Sequence, residues 1–134
     1  MGQIKKTFIA SCLCKGVSIS IKGKLRPVFN CHCIQCTKTH GNFAAYTSML
    51  EENITFKSKK TLKWFQSSSK AKRGFCNYCG SSIFYKKNGS KEVSLSAGLF
   101  QNPTNLNTVS HIFLHNKRDY YKITDKLPKF KKYR

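Results

Sequence analysis

The sequence predicts a mainly β protein, and two observations support this fold class. Short stretches with period-two alternation recur along the chain, beginning with residues 17–21, whereas helical periodicity is nowhere sustained. The cysteines provide the second observation, because all seven fall into three closely spaced groups. These groups are Cys12/Cys14, Cys31/Cys33/Cys36 and Cys76/Cys79. An odd number of cysteines in short clusters indicates metal binding rather than a disulfide framework.

The other predicted elements follow from alternation and from turn residues. Further strands are predicted at residues 43–50, 54–56, 62–65, 82–85, 92–97 and 110–115. Asn88-Gly89 is a strong hairpin signal between two of these strands. Residues 57–60 are expected to form a solvated turn, and residues 37–41 a short helical turn that ends at Gly41. A basic, aromatic tail begins at about residue 117.

The size and charge of the chain limit its function. A chain of 134 residues fits one domain over residues 1–134, and its 40% hydrophobic residues can form a core. The formal net charge is +20, from 25 Lys+Arg against 5 Asp+Glu. Such a charge attracts nucleic acid, acidic membrane surfaces or anionic metabolites. The alternative is a lysine-rich surface that has no specific partner.

The N-terminal region predicts no export or membrane anchoring. The apolar stretch before Cys12 has about four residues, whereas the apolar region of a signal peptide needs about 7–15. No segment approaches the length of a transmembrane helix. Clustered thiols also favour a reducing compartment. We therefore expect a cytoplasmic protein with no membrane partner.

Cys76, Cys79 and Gly80 form a zinc-knuckle pattern. A glycine after the second cysteine permits the positive φ of a tight turn, in which backbone N–H groups point at the sulfur atoms. The knuckle supplies two ligands, and Cys12 and Cys14 are the pair available to complete the set. These four thiols are expected to form a closed, structural zinc site.

Cys31, Cys33 and Cys36, called the trio below, follow the pattern C-x-C-x-x-C. Tetrahedral zinc with Zn–S bonds of about 2.3 Å places sulfur atoms roughly 3.8 Å apart, which such a turn can match. Three ligands leave a position for water or a substrate. Two alternatives stay open: the chain binds a single zinc, or His32 or His40 closes the trio.

The other histidines are expected to have ordinary structural roles. His32 stands between two trio cysteines and is expected to point away from the metal. His111 and His115 are expected to lie on one side of the last predicted strand, because they are separated by an even number of residues.

Five segments together resemble the glutathione-dependent formaldehyde-activating enzyme family, which also includes centromere protein V. The segments are SCLC at 11–14, CHCIQC at 31–36, RGFCNYCG at 73–80, SHIF at 110–113 and DKLPKF at 125–130. The resemblance implies an Mss4-like fold of several small antiparallel sheets built around zinc knuckles. The sequence departs from the family pattern at Lys15, where glycine is usual, and at Thr37 and Lys38, near which arginine is frequent.

The resemblance also implies two Zn²⁺ ions per chain and a reaction. The structural zinc would be held by the residues matching Cys12, Cys14, Cys76 and Cys79, and a catalytic zinc by those matching the trio. The family activity is the condensation of glutathione with formaldehyde to S-hydroxymethylglutathione, which is classed as a carbon–sulfur lyase reaction.

Two functional hypotheses follow. The first is a zinc-dependent, carbon–sulfur lyase-like enzyme that acts on an adduct of glutathione, or another small thiol, with formaldehyde or a related aldehyde. Arg73 and Lys38 are its candidate substrate-binding residues, because an anionic peptide needs basic groups near the trio. The second is a zinc-stabilised basic module that binds nucleic acid or another polyanion. The sequence carries no signal for an oligomeric state.

Overall fold

The computed structural model describes residues 6–133, and the mainly β fold is confirmed there. The strands are β1 Thr7–Ser11, β2 Val17–Lys22, β3 Val28–Cys31, β4 Ala44–Leu50, β5 Ile54–Lys59, β6 Leu62–Gln66, β7 Ala71–Cys76, β8 Ser82–Lys87, β9 Glu92–Ser96 and β10 Thr108–Ile112. The helical elements are α1 Ile34–His40 and the 3-10 helices Glu51–Asn53, Ala97–Leu99 and Leu114–Asn116.

The described strands form two sheets. The smaller sheet has the order β1-β2-β5, and the larger has the order β10-β3-β4-β9-β8-β7-β6. The predicted antiparallel pairing holds for every neighbouring pair except β10 and β3, which are parallel. The chain reaches β10 through residues 97–107 rather than through a hairpin, so nothing local imposes the antiparallel direction.

The two faces of the larger sheet have different environments. One face packs on the smaller sheet, where Ile19 and Ile21 of β2 join Met49, Val93 and Leu95 in one buried apolar cluster. Because side chains alternate along a strand, the neighbouring positions of β4, β8 and β9 project from the opposite face. That face carries polar side chains and helix α1, and it forms the candidate site.

Several predicted elements have different ends from those expected, and helix α1 begins at Ile34 rather than at residue 37. The prediction of a solvated turn at residues 57–60 is wrong in part, because β5 continues to Lys59 and Ser58 pairs with Ser18 of β2. The last predicted strand ends at Ile112, because Phe113 has a φ of 58° in the left-handed region. His115 therefore lies in a 3-10 helix, and the prediction that it shares a strand face with His111 is wrong.

The C-terminal segment, residues 117–133, packs along β10 over part of its length. The backbone N–H of Phe130 donates to the carbonyl of His111 at 2.9 Å, and the N–H of His111 donates to the carbonyl of Pro128 at 2.9 Å. Residues 1–5 of the predicted domain and Arg134 of the predicted tail lie outside the described residues. Within residues 6–133, no helix is long and apolar enough to cross a membrane.

Candidate metal centres and their groove

The first cysteine cluster joins the two sheets. Cys12 and Cys14 follow β1, Cys76 ends β7, and Cys79 lies in the turn before β8. The four sulfur atoms all lie within 4.8 Å of one another. The Cys14 sulfur is 3.6 Å from that of Cys12 and 3.5 Å from that of Cys76. These separations are close to the roughly 3.8 Å of tetrahedral zinc thiolates, so the four residues fit such a metal ion.

Backbone N–H groups surround these sulfur atoms, as the knuckle pattern predicts. The N–H groups of Tyr78 and Cys79 donate to the Cys76 sulfur at 3.4 and 3.3 Å. Gly80 has a φ of 81°, which confirms the predicted need for glycine there. A hydrogen bond with the Ser81 hydroxyl lowers the pKa of Cys79 to about 5. This hydrogen bond thus favours the thiolate of Cys79, which is the form that binds metal.

The trio forms the second cluster at the junction of β3 and α1. Cys31 ends β3, Cys33 caps the N-terminus of α1, and Cys36 lies in the first turn of that helix. Their three sulfur atoms lie within 4.8 Å of one another. The Cys33 sulfur accepts a hydrogen bond from the Cys36 N–H at 3.3 Å, which ties the helix start to the cluster. Hydrogen bonds from the thiols of Cys31 and Cys36 lower the pKa of Cys33.

Neither histidine proposed as a fourth ligand belongs to the trio, and no other Cys, His, Asp or Glu in the described residues joins it. His32 points away, as expected: its ring contacts the Tyr121 hydroxyl at 2.6 Å and His111 Nδ1 at 3.0 Å. His40 Nε2 lies 3.3 Å from the Tyr46 hydroxyl. Within residues 6–133, the trio therefore offers three protein ligands to a metal ion.

His32 belongs to a chain of hydrogen bonds that spans three segments. His111 Nε2 donates to Asp125 Oδ2 at 2.8 Å, while His111 Nδ1 contacts His32 Nε2. Burial lowers the pKa of His32 to about 4, so its ring is neutral at physiological pH. The hydrogen bond from His111 lowers the pKa of Asp125. This chain joins the trio loop to β10 and to the C-terminal segment.

Arg73 and Lys38 are the two basic residues that the sequence predicts near the trio. Of these, Arg73 lies beside it. Its Nη2 is 3.6 Å from the Cys36 sulfur, its Nη1 donates to the Tyr46 hydroxyl at 3.2 Å, and its Nε donates to Gln35 Oε1 at 3.0 Å. Arg73 is only 8% exposed, so its charge is not solvated at the surface. A buried guanidinium at this position would oppose the negative charge that the trio carries when its thiols bind a metal ion.

Lys38 has a different location from Arg73. It is exposed on α1 and does not line the groove into which the trio opens. The structure thus brings Arg73, but not Lys38, to the candidate site. A substrate-binding role for either residue stays a prediction.

The trio opens into a groove with a volume of about 670 Å³ on the polar face of the larger sheet. Its wall near the trio includes Arg73, Tyr46 and Tyr85, and the Arg73 guanidinium carbon lies 5.1 Å from the Tyr85 ring centroid. The four-cysteine cluster does not line this groove. The two cysteine clusters therefore differ in the way the functional hypothesis requires: one has four ligands, and the other has three ligands and an adjoining groove.

Sequence reasoning missed several residues of this site. Tyr46, which helps to orient Arg73, has no recognisable motif of its own, whereas Gln35 lies in the CHCIQC segment but gives no signal of its contact with Arg73. His111 and Asp125 lie in the SHIF and DKLPKF segments that carry the resemblance, so a signal for them existed. The pairing of these two segments with His32 was not evident, because the contact joins residues 79 positions apart.

Fold and site together define a small, mainly β protein with two cysteine clusters that could each hold a metal ion. The chain belongs to the glutathione-dependent formaldehyde-activating enzyme family, whose model matches residues 7–116. An uncharacterized lyase from Schizosaccharomyces pombe is 25% identical over 122 residues, covering 90% of this chain and 88% of that protein. Family and relative support a glutathione-related, lyase-like function.

A solved structure supports the fold. A Rhodobacter sphaeroides protein superposes with a TM-score of 0.58 at 19% sequence identity, covering 72% of this chain and 91% of that chain. At that identity the similarity concerns the fold alone.

Proposed function

We propose that this protein is a zinc-dependent, carbon–sulfur lyase-like enzyme that acts on the adduct of glutathione, or a related small thiol, with formaldehyde or a related aldehyde. The observation that carries the proposal is the contrast between the two clusters. The trio has three thiols and adjoins a groove of about 670 Å³, whereas the other cluster has four thiols outside that groove. A site that acts on a substrate needs an open coordination position, and a structural site does not.

Zinc is the metal that best matches these ligands. Thiolate clusters of four and three cysteines are typical of zinc, and the sulfur separations at the four-cysteine cluster match its bond length. Zinc held by the trio would supply positive charge that keeps a substrate thiol deprotonated. We assign two Zn²⁺ per chain, with Cys12, Cys14, Cys76 and Cys79 as the structural ligands.

The reaction forms one bond between the thiol sulfur and the carbonyl carbon of the aldehyde, and the thiol proton moves to the carbonyl oxygen. In the reverse direction the carbon–sulfur bond breaks and the proton returns. Arg73 opposes the charge of the three thiolates, because its Nη2 lies 3.6 Å from the Cys36 sulfur. Gln35 and Tyr46 hold the guanidinium in that position.

The test measures exchange between glutathione, formaldehyde and S-hydroxymethylglutathione at equilibrium by NMR, with metal content determined on the same sample. The wild-type protein is expected to accelerate the exchange, and Cys33→Ser is expected to abolish the acceleration while the fold is retained. No acceleration over the uncatalysed exchange, with both zinc ions bound, would contradict the proposal for this substrate pair.

The proposed setting is a reducing, cytoplasmic one, and residues 1–134 are proposed to act as one zinc-binding domain. All seven cysteines are free thiols grouped for metal binding, which supports a reducing compartment. The four-cysteine cluster connects the two sheets, which supports a single unit.

A second candidate function is the binding of nucleic acid or another polyanion. The observation in its favour is a lysine-aromatic surface near β6, where Lys72 Nζ lies 4.3 Å from the Trp64 ring centroid and Lys59 Nζ lies 5.7 Å from that of Phe56. Both rings are partly exposed, at 39% and 38%. Together with the net charge of +20, this surface resembles the combination of cations and aromatic rings that binds single strands.

The chain has a single tryptophan, so its fluorescence reports directly on that surface. A single-stranded oligonucleotide is expected to quench Trp64, and the affinity is expected to fall about 300-fold or more between about 50 and 200 mM salt if six or more phosphates are contacted. Absence of binding at about 50 mM salt would contradict this candidate. Binding without Trp64 quenching would place it elsewhere on the protein.

A further inference from the structure

The end of the groove remote from the trio contains groups of both charges. Lys87 and Glu92 line the groove there, and both are exposed. The chain has only 5 acidic residues against 25 basic ones, so an acidic residue in this groove needs an explanation. Within the described residues, no ion pair joins Glu92 to Lys87.

The positions of Lys87 and Glu92 on their strands place both side chains on the groove face. Tyr85 of β8 pairs with Ser94 of β9. Lys87, the last residue of β8, and Glu92, the first residue of β9, each lie two residues from this pair toward the connecting turn. Side chains two residues apart lie on the same face, so Lys87 and Glu92 share the groove face with Tyr85 and Ser94. A cation and an anion therefore both line the groove at the end where β8 and β9 are joined by their turn.

The distance from the trio corresponds to a short peptide. Arg73 contacts both the Cys36 sulfur and the Tyr85 ring, so Tyr85 marks the trio end of the floor. Lys87 is two residues beyond Tyr85, which is about 7 Å along the strand. An extended chain covers about 3.3–3.6 Å per residue, so a ligand with its thiol at the trio would reach this end with a two- or three-residue backbone.

The floor between the two ends carries hydroxyl groups. Ser94 pairs with Ser48 of β4, and both serines line the groove. Serine hydroxyls donate and accept hydrogen bonds, so they suit the amide groups of a peptide rather than an apolar ligand. The floor therefore fits a peptide that runs from the trio to the Lys87–Glu92 end.

We propose that Lys87 and Glu92 form a subsite for a free α-amino-acid group of the thiol substrate, with Lys87 binding its α-carboxylate and Glu92 its α-ammonium group. The inference rests on the proposed function, since it places the substrate thiol beside the trio. It adds that these two residues recognise the zwitterionic end that a γ-glutamyl group places about two residues from the substrate sulfur. A carboxylate alone would need the lysine but would be repelled by the glutamate.

Calorimetric titration of the zinc-loaded full chain, without aldehyde, tests the subsite separately from the reaction. Three thiols serve as probes: glutathione, glutathione acetylated on its α-amino group, and N-acetyl-cysteinylglycine, which lacks the γ-glutamyl residue. Glu92→Gln is expected to lower the affinity for glutathione about tenfold, as the loss of a charge-assisted hydrogen bond does. The affinity for the acetylated form is expected to stay nearly unchanged. Lys87→Met, alone and combined with Lys70→Met at the neighbouring lining position, is expected to weaken both glutathione forms but not N-acetyl-cysteinylglycine.

Matched controls are Glu52→Gln and Lys91→Met, which change exposed residues outside the groove lining and are expected to leave all three affinities unchanged. The subsite is overturned if Glu92→Gln leaves the affinity for glutathione unchanged, or strengthens binding of all three thiols, as it would if a lone carboxylate occupied this end. Acceleration of the exchange reaction without these binding changes would overturn the subsite and retain the proposed function. These binding changes without acceleration of the exchange reaction would retain the subsite and overturn the proposed function.

Discussion

Two residues beside the cysteine clusters, Lys15 and Arg73, are expected to affect stability and metal affinity although neither is a metal ligand. Lys15 follows Cys14 at the position where the family usually has glycine, and its φ is 66°. A left-handed conformation costs a side-chain-bearing residue roughly 1–2 kcal/mol relative to glycine. Its N–H donates to the Cys12 carbonyl at 3.1 Å, so the turn around the cluster fixes this conformation.

Lys15→Gly is therefore expected to stabilise the protein by up to about 1 kcal/mol, because the relief of strain exceeds the added freedom of the unfolded chain. Chemical denaturation of the zinc-loaded protein measures the change. Lys22→Gly in β2 is the matched control and is expected to destabilise, since glycine weakens a strand. Equal destabilisation by both changes would show that Lys15 is not strained.

Arg73 is expected to control how tightly the trio holds its metal. Arg73→Met keeps a long side chain but removes the charge next to the Cys36 sulfur, and the loss of such a supporting partner typically costs about 10–100-fold in metal affinity. Competition with a chromogenic chelator measures the affinity of the protein for its more weakly held zinc ion. Lys38→Met, on the exposed side of α1, is expected to leave that affinity unchanged. A loss with Lys38→Met but not with Arg73→Met would reverse the assignment of the two residues.

At the level of elements, the C-terminal segment is held to the trio loop by the chain from Asp125 through His111 to His32. Because the pKa of Asp125 is lowered in the folded protein, its contribution is present above the ordinary carboxyl pKa of 3.8 and is lost as the pH falls through the folded value. The carboxylate therefore acts at full strength near neutral pH.

Asp125→Asn is expected to loosen residues 117–133 at pH 7, because the acceptor for His111 loses its charge while its shape is kept. Limited proteolysis and hydrogen exchange should show faster cleavage and exchange in this segment, with a small change in the four-cysteine cluster. Asp119→Asn, an exposed acidic residue of the same segment, is the control. Unchanged exchange in Asp125→Asn would show that backbone pairing with β10 alone holds the segment.

The sequence predicted those elements whose signals are local. The turn at Asn88-Gly89, the helix end at Gly41 and both cysteine clusters depend on residues close together or on ligand chemistry, and the structure contains all of them. The parallel pairing of β10 with β3 was not predictable, because it follows a long connection. The burial of Arg73 was not predictable either, because its three partners come from α1 and β4.

For the whole molecule, the two cysteine clusters have unequal structural importance. The four-cysteine cluster draws ligands from the connection between β1 and β2 of the smaller sheet and from β7 and the following turn in the larger sheet. The trio draws its ligands only from β3 and the adjoining α1. Metal at the first cluster therefore links the two sheets, whereas metal at the trio crosslinks neighbouring segments of one region.

Cys76→Ser is expected to lower the zinc content and to destabilise the whole fold, because a structural zinc site contributes directly to the free energy of folding. Cys33→Ser is expected to remove one zinc per chain and leave the β-sheet circular dichroism and the cooperative thermal transition in place. If Cys76→Ser does not yield folded protein, chelator titration of the wild type gives the same comparison. The first zinc should leave without loss of structure, and the second should leave with cooperative unfolding. Unfolding on removal of the first zinc, or in Cys33→Ser, would contradict this division, because the open site would then be the one that maintains the fold.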